Sequence, residues 1–123
     1  MKDGKFQANG NTYWYINGQF HREDGPAVEY SNGGKYWYQH GLRHRDSGPA
    51  IERSDGSKEW FDEGKPHRID GPAIESADSS KRWYLEGKQV TEEEFNLWRM
   101  KKELNDKLNS TLTPKSKIKR SKI

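Results

Sequence analysis

The stretch "HREDGPAVEY" at residues 21–30 recurs almost unchanged as "HRDSGPAIER" from His44 and "HRIDGPAIES" from His67. The copies are 23 residues apart. The same spacing, without any insertion, separates Trp14, Trp37, Trp60 and Trp83. A constant short period in a chain of 123 residues predicts a stack of structural repeats, each of which contacts only its neighbours.

The composition alone is close to that of disordered chains, since 33% of the residues are charged and 29% are hydrophobic. The regular period favours an ordered array instead. The chain has no cysteine, which excludes disulfide bonds and thiolate metal sites. Its first residues lack the apolar core of a signal peptide, and no window approaches the roughly 18 apolar residues of a membrane span. We therefore expect a soluble cytoplasmic protein with one domain.

Each unit is predicted to contain a β-hairpin followed by a connector. A short run with a β-branched residue is typical of a strand, and an Asn-Gly or Asp-Gly pair favours a tight turn. First strands are expected at 27–30, 50–53 and 73–76, turns at Asn32-Gly33, Asp55-Gly56 and the degenerate Asp78-Ser79, and return strands at 35–38, 58–61 and 81–84. An earlier copy begins near Lys5 and turns at Asn9-Gly10. A second turn follows in every unit, at Asn17-Gly18, His40-Gly41, Glu63-Gly64 and Glu86-Gly87.

The alternation of side chains along a strand separates two faces in each hairpin. One face is expected to carry Val28, Ile51 and Ile74. We expect each tryptophan to pack against the β-branched residue of its own hairpin, which would form a continuous apolar ladder. Tyr15, Tyr38, Phe61 and Tyr84 are expected to point the opposite way from the tryptophans.

The spacing argues against a catalytic or metal-binding role for the repeated histidines. Equivalent residues of neighbouring hairpins lie two strand spacings apart, roughly 9–10 Å. His21, His44 and His67 therefore cannot share an ion that needs bonds of about 2 Å. An active site needs different groups that converge once, whereas identical groups recur here along an axis. We expect no metal, no cofactor and no enzymatic activity.

A structural interpretation accounts for the whole motif. The Gly-Pro pairs at residues 25–26, 48–49 and 71–72 are expected to turn the chain into the next hairpin. The preceding Asp24, Ser47 and Asp70 are placed to accept backbone N–H groups of that turn. Arg22, Arg45 and Arg68 are expected to meet Glu29, Glu52 and Glu75. The alternative is that the His-Arg pairs form an exposed basic stripe that contacts a partner.

The period and one recurring run resemble MORN repeats. The run is an aromatic residue, then glycine three residues later and histidine three residues after that, as in Tyr15-Gly18-His21, Tyr38-Gly41-His44 and Phe61-Gly64-His67. The resemblance covers about residues 5–90, and an arginine stands where a glycine usually follows the histidine. Such divergent, MORN-like variants are associated with bacterial and phage proteins. The resemblance implies a mainly β fold, a single-layer stack of antiparallel hairpins that serves as a scaffold or protein-binding surface.

The pattern ends after Gly87, and a helix is predicted from about Glu92 to Leu108. Thr91 and Glu94 have the spacing of a capping box, and acidic residues favour the start of a helix. We expect three segments, an array at 1–90, a capping helix within 91–109 and a disordered basic tail at 110–123. The helix either buries both sides or presents a Leu/Met stripe to a partner or a second copy of the chain. The last ten residues hold five of the 22 basic residues and no acid, so residues 1–113 carry 17 basic and 19 acidic groups.

These features predict a small protein–protein interaction module without enzymatic activity. A phage-encoded modulator or inhibitor of a host protein complex, located in the host cytoplasm, would fit such a chain. The expected partner-binding residues are positions that vary between units and the helix stripe: Tyr13, Tyr36, Glu59, Arg82, Arg43, Lys65, Leu97, Met100 and Leu104. The alternative is a nucleic-acid-binding accessory protein that uses Arg22, Arg45, Arg68, Lys117, Lys119 and Arg120. A homo-oligomer would form through the C-terminal helix.

Overall fold

The computed structural model describes the backbone of residues 2–122 and the side chains of residues 2–110. Within this range the protein is mainly antiparallel β-structure with a C-terminal helix, which confirms the predicted fold class. The elements are β1 (Gly4–Ala8), β2 (Asn11–Ile16), β3 (Gln19–Phe20), β4 (Val28–Glu29), β5 (Lys35–Tyr36), β6 (Tyr38–Gln39), β7 (Leu42–Arg43), β8 (Ile51–Glu52), β9 (Lys58–Glu59), β10 (Phe61–Asp62), β11 (Lys65–Pro66), β12 (Ile74–Glu75), β13 (Lys81–Leu85), β14 (Lys88–Val90) and α1 (Glu92–Lys122). The chain divides into two compact units, Met1–Thr91 and Glu92–Ile123.

The hairpins of successive repeats pair side by side in one antiparallel sheet. Its strand order is β1-β2-β4-β5-β8-β9-β12-β13-β14, with β3 beside β2. Neighbouring hairpins are joined by pairs such as Tyr36 with Ile51 and Lys35 with Glu52. Each repeat thus adds two strands, a step of roughly 9–10 Å, as the 23-residue period predicts.

Each repeat also contains a second short hairpin, where the sequence predicted only a turn in the connector. β6 pairs with β7, and β10 pairs with β11. Both residues of the turn have positive φ, 52° at His40 and 79° at Gly41, which is the geometry of a type I′ turn. The Gly41 N–H donates to the Phe20 carbonyl at 2.9 Å. The second hairpins therefore connect neighbouring repeats through their glycines.

The first turn of the repeat differs from the predicted two-residue turn. Gly33 has a φ of 98°, whereas Asn32 is not among the residues with positive φ. The Gly33 N–H donates to the Tyr30 carbonyl, and the Asn32 side chain accepts the Gly34 N–H at 2.9 Å. Asn32 thus contributes an acceptor oxygen instead of a left-handed backbone, and the turn is wider for that reason.

The buried hydrophobic residues of the array are mostly small or β-branched, namely Ala27, Val28, Ala50, Ile51, Phe61 and Ala73, and His21 is buried as well. The expected packing of each tryptophan against its own hairpin is wrong for Trp37. Trp37 packs against a cluster of Ala50, Ile51 and Phe61, which belongs to the following repeat. Because Tyr36 pairs directly with Val28 across the hairpin, its neighbour Trp37 points to the other face.

The helix α1 begins directly after Thr91 and has three acidic residues in its first turn, as predicted. It runs to Lys122, beyond the predicted end at Leu108. The prediction relied on apolar periodicity, which stops at Leu108, and the intrinsic propensities of the residues that follow, which include Pro114, do not explain the longer helix. The helix thus includes residues 110–122, which the sequence analysis assigned to a disordered basic tail at 110–123, and side chains from residue 111 onward lie outside the described part.

Candidate functional site

Three tryptophans are covered by the arginine that follows eight residues later. The guanidinium carbon of Arg45 lies 3.8 Å from the centre of the Trp37 ring, and the distance is 3.7 Å for Arg22 over Trp14 and for Arg68 over Trp60. A cation over an indole contributes about 0.5–2 kcal/mol. We call the following sets arginine clamps 1, 2 and 3: Trp14, Arg22, Gly25, Glu29; Trp37, Arg45, Gly48, Glu52; and Trp60, Arg68, Gly71, Glu75.

Each clamp joins one repeat to the next. The Nη1 group of Arg68 donates to the carbonyl of Pro72 and to the carboxylate of Glu75, both at 3.0 Å. Arg45 makes the same two bonds, and Arg22 bonds its proline carbonyl and lies 3.9 Å from Glu29. The predicted contacts between the arginines and the glutamates are therefore present. Since the indole and the arginine belong to one repeat and the acceptors to the next, the clamp holds the junction together.

The glycine of the motif makes room for the arginine. A Cβ atom added at Gly71 would lie 2.9 Å from the guanidinium carbon of Arg68, and the distances at Gly25 and Gly48 are 2.9 and 3.0 Å. The acid before the glycine has a role other than the predicted one. Asp70 accepts a hydrogen bond from Arg68 Nε at 2.8 Å, where we expected a backbone N–H of the turn. A guanidinium is the stronger partner because the bond is assisted by charge on both sides.

The repeated histidines also act between repeats. Nδ1 of His21, His44 and His67 accepts the backbone N–H of His40, Glu63 and Glu86 at 2.8–2.9 Å. These three donors stand in the type I′ turns of the next repeat. Because a backbone N–H can only donate, the ring proton is on Nε2. The Nε2 group of His44 contacts Asp46 at 2.7 Å. The His-Arg pairs are thus part of the architecture.

The predicted recognition residues beside the tryptophans come together in one row. Across the sheet, Tyr13 pairs with Val28, Val28 with Tyr36, and Tyr36 with Ile51. The row continues through Glu59, Ile74 and Arg82. Residues paired in this way share a face of the sheet. Tyr13, Tyr36 and Glu59 are half-buried and Arg82 is exposed.

Two further residues in this region were missed by the sequence reasoning. The Tyr30 ring lies 5.3 Å from the Tyr36 ring in an edge-to-face arrangement. Arg53 bonds the Tyr36 hydroxyl at 3.1 Å and the Glu59 carboxylate at 2.6 Å. Burial and the neighbouring tyrosines raise the pKa of Tyr30. The available signal was the variation of this position between repeats, with tyrosine, arginine and then Ser76.

The other predicted partner-binding residues lie elsewhere. Arg43 on β7 is exposed and its guanidinium carbon is 5.4 Å from the centre of the Phe61 ring, and Lys65 on β11 is exposed. On the helix, Leu97, Met100 and Leu104 are 52%, 65% and 59% exposed. Leu108 is exposed on the same helix and Phe95 is buried. The stripe that the sequence identified is open to contact, and a homo-oligomer through it stays a prediction.

The arginines of the nucleic-acid alternative are already engaged. The side chains of Arg22, Arg45 and Arg68 are 24%, 28% and 19% exposed and are bonded within the clamps. The row of residues beside them alternates in charge, in the order Glu29, Lys35, Glu52, Lys58, Glu75 and Lys81. That face is therefore close to neutral. The side chains of Lys117, Lys119 and Arg120 lie outside the described residues.

One group of potential metal ligands occurs among the side chains of residues 2–110. His44, Asp62 and Glu63 have ligand atoms within 4.8 Å of one another. His44 Nδ1 already accepts the Glu63 backbone N–H at 2.9 Å, so its lone pair is in use. The three repeated imidazoles do not gather in this group. We assign His44 to the architecture and not to a metal site.

Within the described part of the chain, no helix is both long enough and apolar enough to cross a membrane. Comparison of the sequence and the structure with family models, curated proteins and solved structures finds no match.

Proposed function

We propose that the protein is a non-enzymatic interaction module that binds another protein through the patch formed by Tyr13, Tyr30, Tyr36, Arg53 and Glu59, here called the tyrosine–arginine patch. Tyrosine and arginine are enriched at protein interfaces, where they supply most of the energetically dominant contacts. Tyr30 is 39% exposed as a residue, and the side chain of Arg53 is 39% exposed. The patch thus offers contact area without being hidden in the sheet.

Hydrogen bonds within the protein order the side chains of the patch in the absence of a partner. Arg53 is fixed by its bonds to Tyr36 and Glu59, and the Asn11 side chain donates to the Tyr13 hydroxyl at 3.1 Å. Ordered side chains lose little conformational entropy on binding, which favours affinity. This geometry supports recognition by a surface that is already formed.

The distribution of constant and variable residues carries the proposal. The clamp residues are the same in three copies, and their polar groups bond one another. The patch positions differ from repeat to repeat, as in the series Tyr13, Tyr36, Glu59 and Arg82. Residues that vary at equivalent sites of a regular array are not required by the array and are available to encode recognition.

A photo-crosslinking amino acid at position 36 tests the proposal. Position 58 is the matched control, because Lys58 is exposed and lies in the cross-sheet row of the opposite face. We expect the position-36 variant, expressed in the natural host, to crosslink a protein that the position-58 variant does not. Equal crosslinking at both positions, or crosslinking only at position 58, would contradict the proposal.

The partner class that we propose is a protein complex of a host cell, with this protein as its phage-encoded modulator or inhibitor, as the MORN-like sequence features suggest. The crosslinked protein, identified by mass spectrometry, tests this class directly. A crosslinked subunit of a host assembly supports it, whereas a protein encoded beside this chain contradicts it.

Nucleic-acid binding is the second candidate, and the acid-free basic tail is the observation that favours it. Binding of labelled DNA and RNA would be measured across a salt series, with and without residues 114–123. Tight binding with a steep salt dependence that disappears with the tail would support this candidate over protein recognition.

A further inference from the structure

Three asparagines of the chain stand directly before a glycine, in the pairs Asn9-Gly10, Asn17-Gly18 and Asn32-Gly33. An asparagine in this position is prone to lose its side-chain amide, because glycine has no side chain to hinder attack by its own backbone nitrogen. All three pairs are exposed to solvent. Access of water therefore does not distinguish them, whereas their hydrogen bonds do.

The reaction proceeds in two steps. The glycine backbone nitrogen gives up its proton and attacks the side-chain carbonyl carbon of the asparagine. The bond from that carbon to the amide nitrogen breaks, and the nitrogen leaves as ammonia after it has taken a proton. Water then opens the resulting succinimide ring at either carbonyl, which leaves aspartate or isoaspartate. The first step requires a glycine N–H that solvent can deprotonate and a turn that can bring its nitrogen to the side chain.

The backbone of the second pair is held at both residues. The Gly18 N–H donates to the Lys2 carbonyl at 2.8 Å. The Asn17 N–H donates to the Asp3 carboxylate at 2.6 Å. Attack by the Gly18 nitrogen requires these bonds to break first, because the nitrogen must lose its proton and move toward the asparagine side chain.

The third pair is held at the backbone and at the side chain. The Gly33 N–H donates to the Tyr30 carbonyl at 2.9 Å. The side-chain oxygen of Asn32 accepts the Gly34 N–H at 2.9 Å. Both the attacking nitrogen and the carboxamide that it would attack are therefore engaged.

The first pair has none of these restraints. Asn9 and Gly10 have φ values of 54° and 82°, so they are the central residues of the type I′ turn between β1 and β2. The hydrogen bond that closes such a turn joins the flanking residues, here Ala8 and Asn11. Among residues 2–110, neither the Gly10 N–H nor the Asn9 carboxamide has a hydrogen-bond partner.

We propose that Asn9 is a site of spontaneous deamidation, converted to aspartate or isoaspartate in the folded protein while Asn17 and Asn32 are preserved. The conversion adds a negative charge, and isoaspartate also adds one atom to the backbone of the turn. The neighbouring Asn11 accepts the Ser31 N–H at 2.8 Å, so the altered turn adjoins a contact with the next repeat. The proposal concerns covalent chemistry and does not depend on the tyrosine–arginine patch.

The test is incubation of the 123-residue chain in mildly alkaline buffer, followed by digestion with trypsin and sequencing of the peptides by mass spectrometry. Asn9 and Asn17 fall in one peptide, residues 6–22, and Asn32 falls in the peptide 23–35. We expect Asn9 to react at least about fivefold faster than either of the others, because each of those is restrained by two hydrogen bonds. Equal rates, or faster conversion of Asn17 or Asn32, would overturn the proposal.

The same incubation in concentrated urea is the matched control. The turn hydrogen bonds are lost in the unfolded chain, so the three asparagines should react at similar rates. A preference for Asn9 that persists in urea would show that local sequence sets the order, which contradicts the assignment to the fold.

The variant Asn9→Gly provides a second control, because glycine tolerates the positive φ of the turn and carries no amide. In the folded variant, the slow rates at Asn17 and Asn32 should be unchanged. Conversion of either residue at the rate found for Asn9 would show that the folded chain does not protect them, and would also contradict the proposal.

Discussion

At the scale of single residues, Trp14, Trp37 and Trp60 are half-buried groups whose rings are covered by arginines. An indole in this position removes apolar area from water and also faces a cation. The glycine and the glutamate of the clamp are needed for the same contact, since one makes room for the arginine and the other bonds it. The motif is therefore one interaction spread over four residue types.

Trp60→Ala should lower the free energy of unfolding by about 3–5 kcal/mol, because it leaves a cavity and exposes Arg68. The measurement is thermal or urea unfolding. Arg82→Ala, an exposed position on β13, is the control and should change stability by no more than about 0.5 kcal/mol. An unchanged midpoint for Trp60→Ala would show that the indole serves recognition at the surface.

Gly71→Ala should destabilise the protein by about 1–3 kcal/mol, since the added Cβ would displace Arg68 from the Trp60 ring. The effect should nearly vanish in an Arg68→Ala background, in which the space is already free. A double-mutant cycle measures this coupling. If Gly71→Ala costs the same in both backgrounds, the glycine is required by the backbone and not by the arginine.

Two turn carboxylates make stability depend on pH. The backbone N–H of Ser57 lowers the pKa of Asp55, and that of Ser80 lowers the pKa of Asp78, below the usual value of 3.8. A lowered folded-state pKa stabilises the protein above the unfolded-state value, and this contribution is lost as the pH falls through the folded-state value.

We therefore expect a lower urea midpoint at about pH 2.5 than at about pH 6, and a smaller difference in the Asp55→Asn, Asp78→Asn variant. Asparagine retains the turn bond, as Asn32 shows with its acceptor oxygen on the Gly34 N–H. An undiminished pH difference in the variant would mean that other carboxylates account for it.

At the scale of the structural elements, the second turns place a non-glycine residue in the left-handed region of the backbone. Glu63 and Glu86 have φ values of 48° and 51°, a region that costs a non-glycine residue about 1–2 kcal/mol. Asn17 occupies the same place in the first repeat, and asparagine tolerates this conformation. The strained residues are those whose backbone N–H donates a hydrogen bond to a histidine of the preceding repeat.

Glu63→Asn should stabilise the protein by about 0.5–1 kcal/mol, and the reciprocal Asn17→Glu should destabilise it by a similar amount. Both effects can be measured by urea unfolding at neutral pH. Opposite signs in the two variants are the expected result, and equal signs would show that contacts other than backbone strain decide the preference.

The strands, turns and helix could be predicted from the sequence where the signal is a short motif or a regular spacing. The 23-residue spacing predicted the repeated hairpins. The covering of Trp37 by Arg45 was not predictable, because it depends on how a connector folds back over the sheet. The contribution of Arg53 to the candidate site was missed for the same reason, since its partners Tyr36 and Glu59 lie 17 and 6 residues away.

At the scale of the whole molecule, the chain separates residues that build the array from residues that are available for recognition. The clamps repeat at three junctions and use their own polar groups internally. The residues of the tyrosine–arginine patch, by contrast, belong to none of the three clamps. We propose that the positions that differ between repeats, rather than the clamps, contact a partner.

The three clamps are separate structural devices at successive junctions of the array. Urea unfolding of Arg22→Gln, Arg68→Gln and the double variant tests this most directly. Each single change should cost about 1–2 kcal/mol, and the double should equal their sum within about 0.5 kcal/mol, because the sites are distant and share no partner. No loss of stability in the single variants would contradict a structural role for the clamps. A coupling energy well above about 1 kcal/mol would show that the repeated arginines act at one shared site.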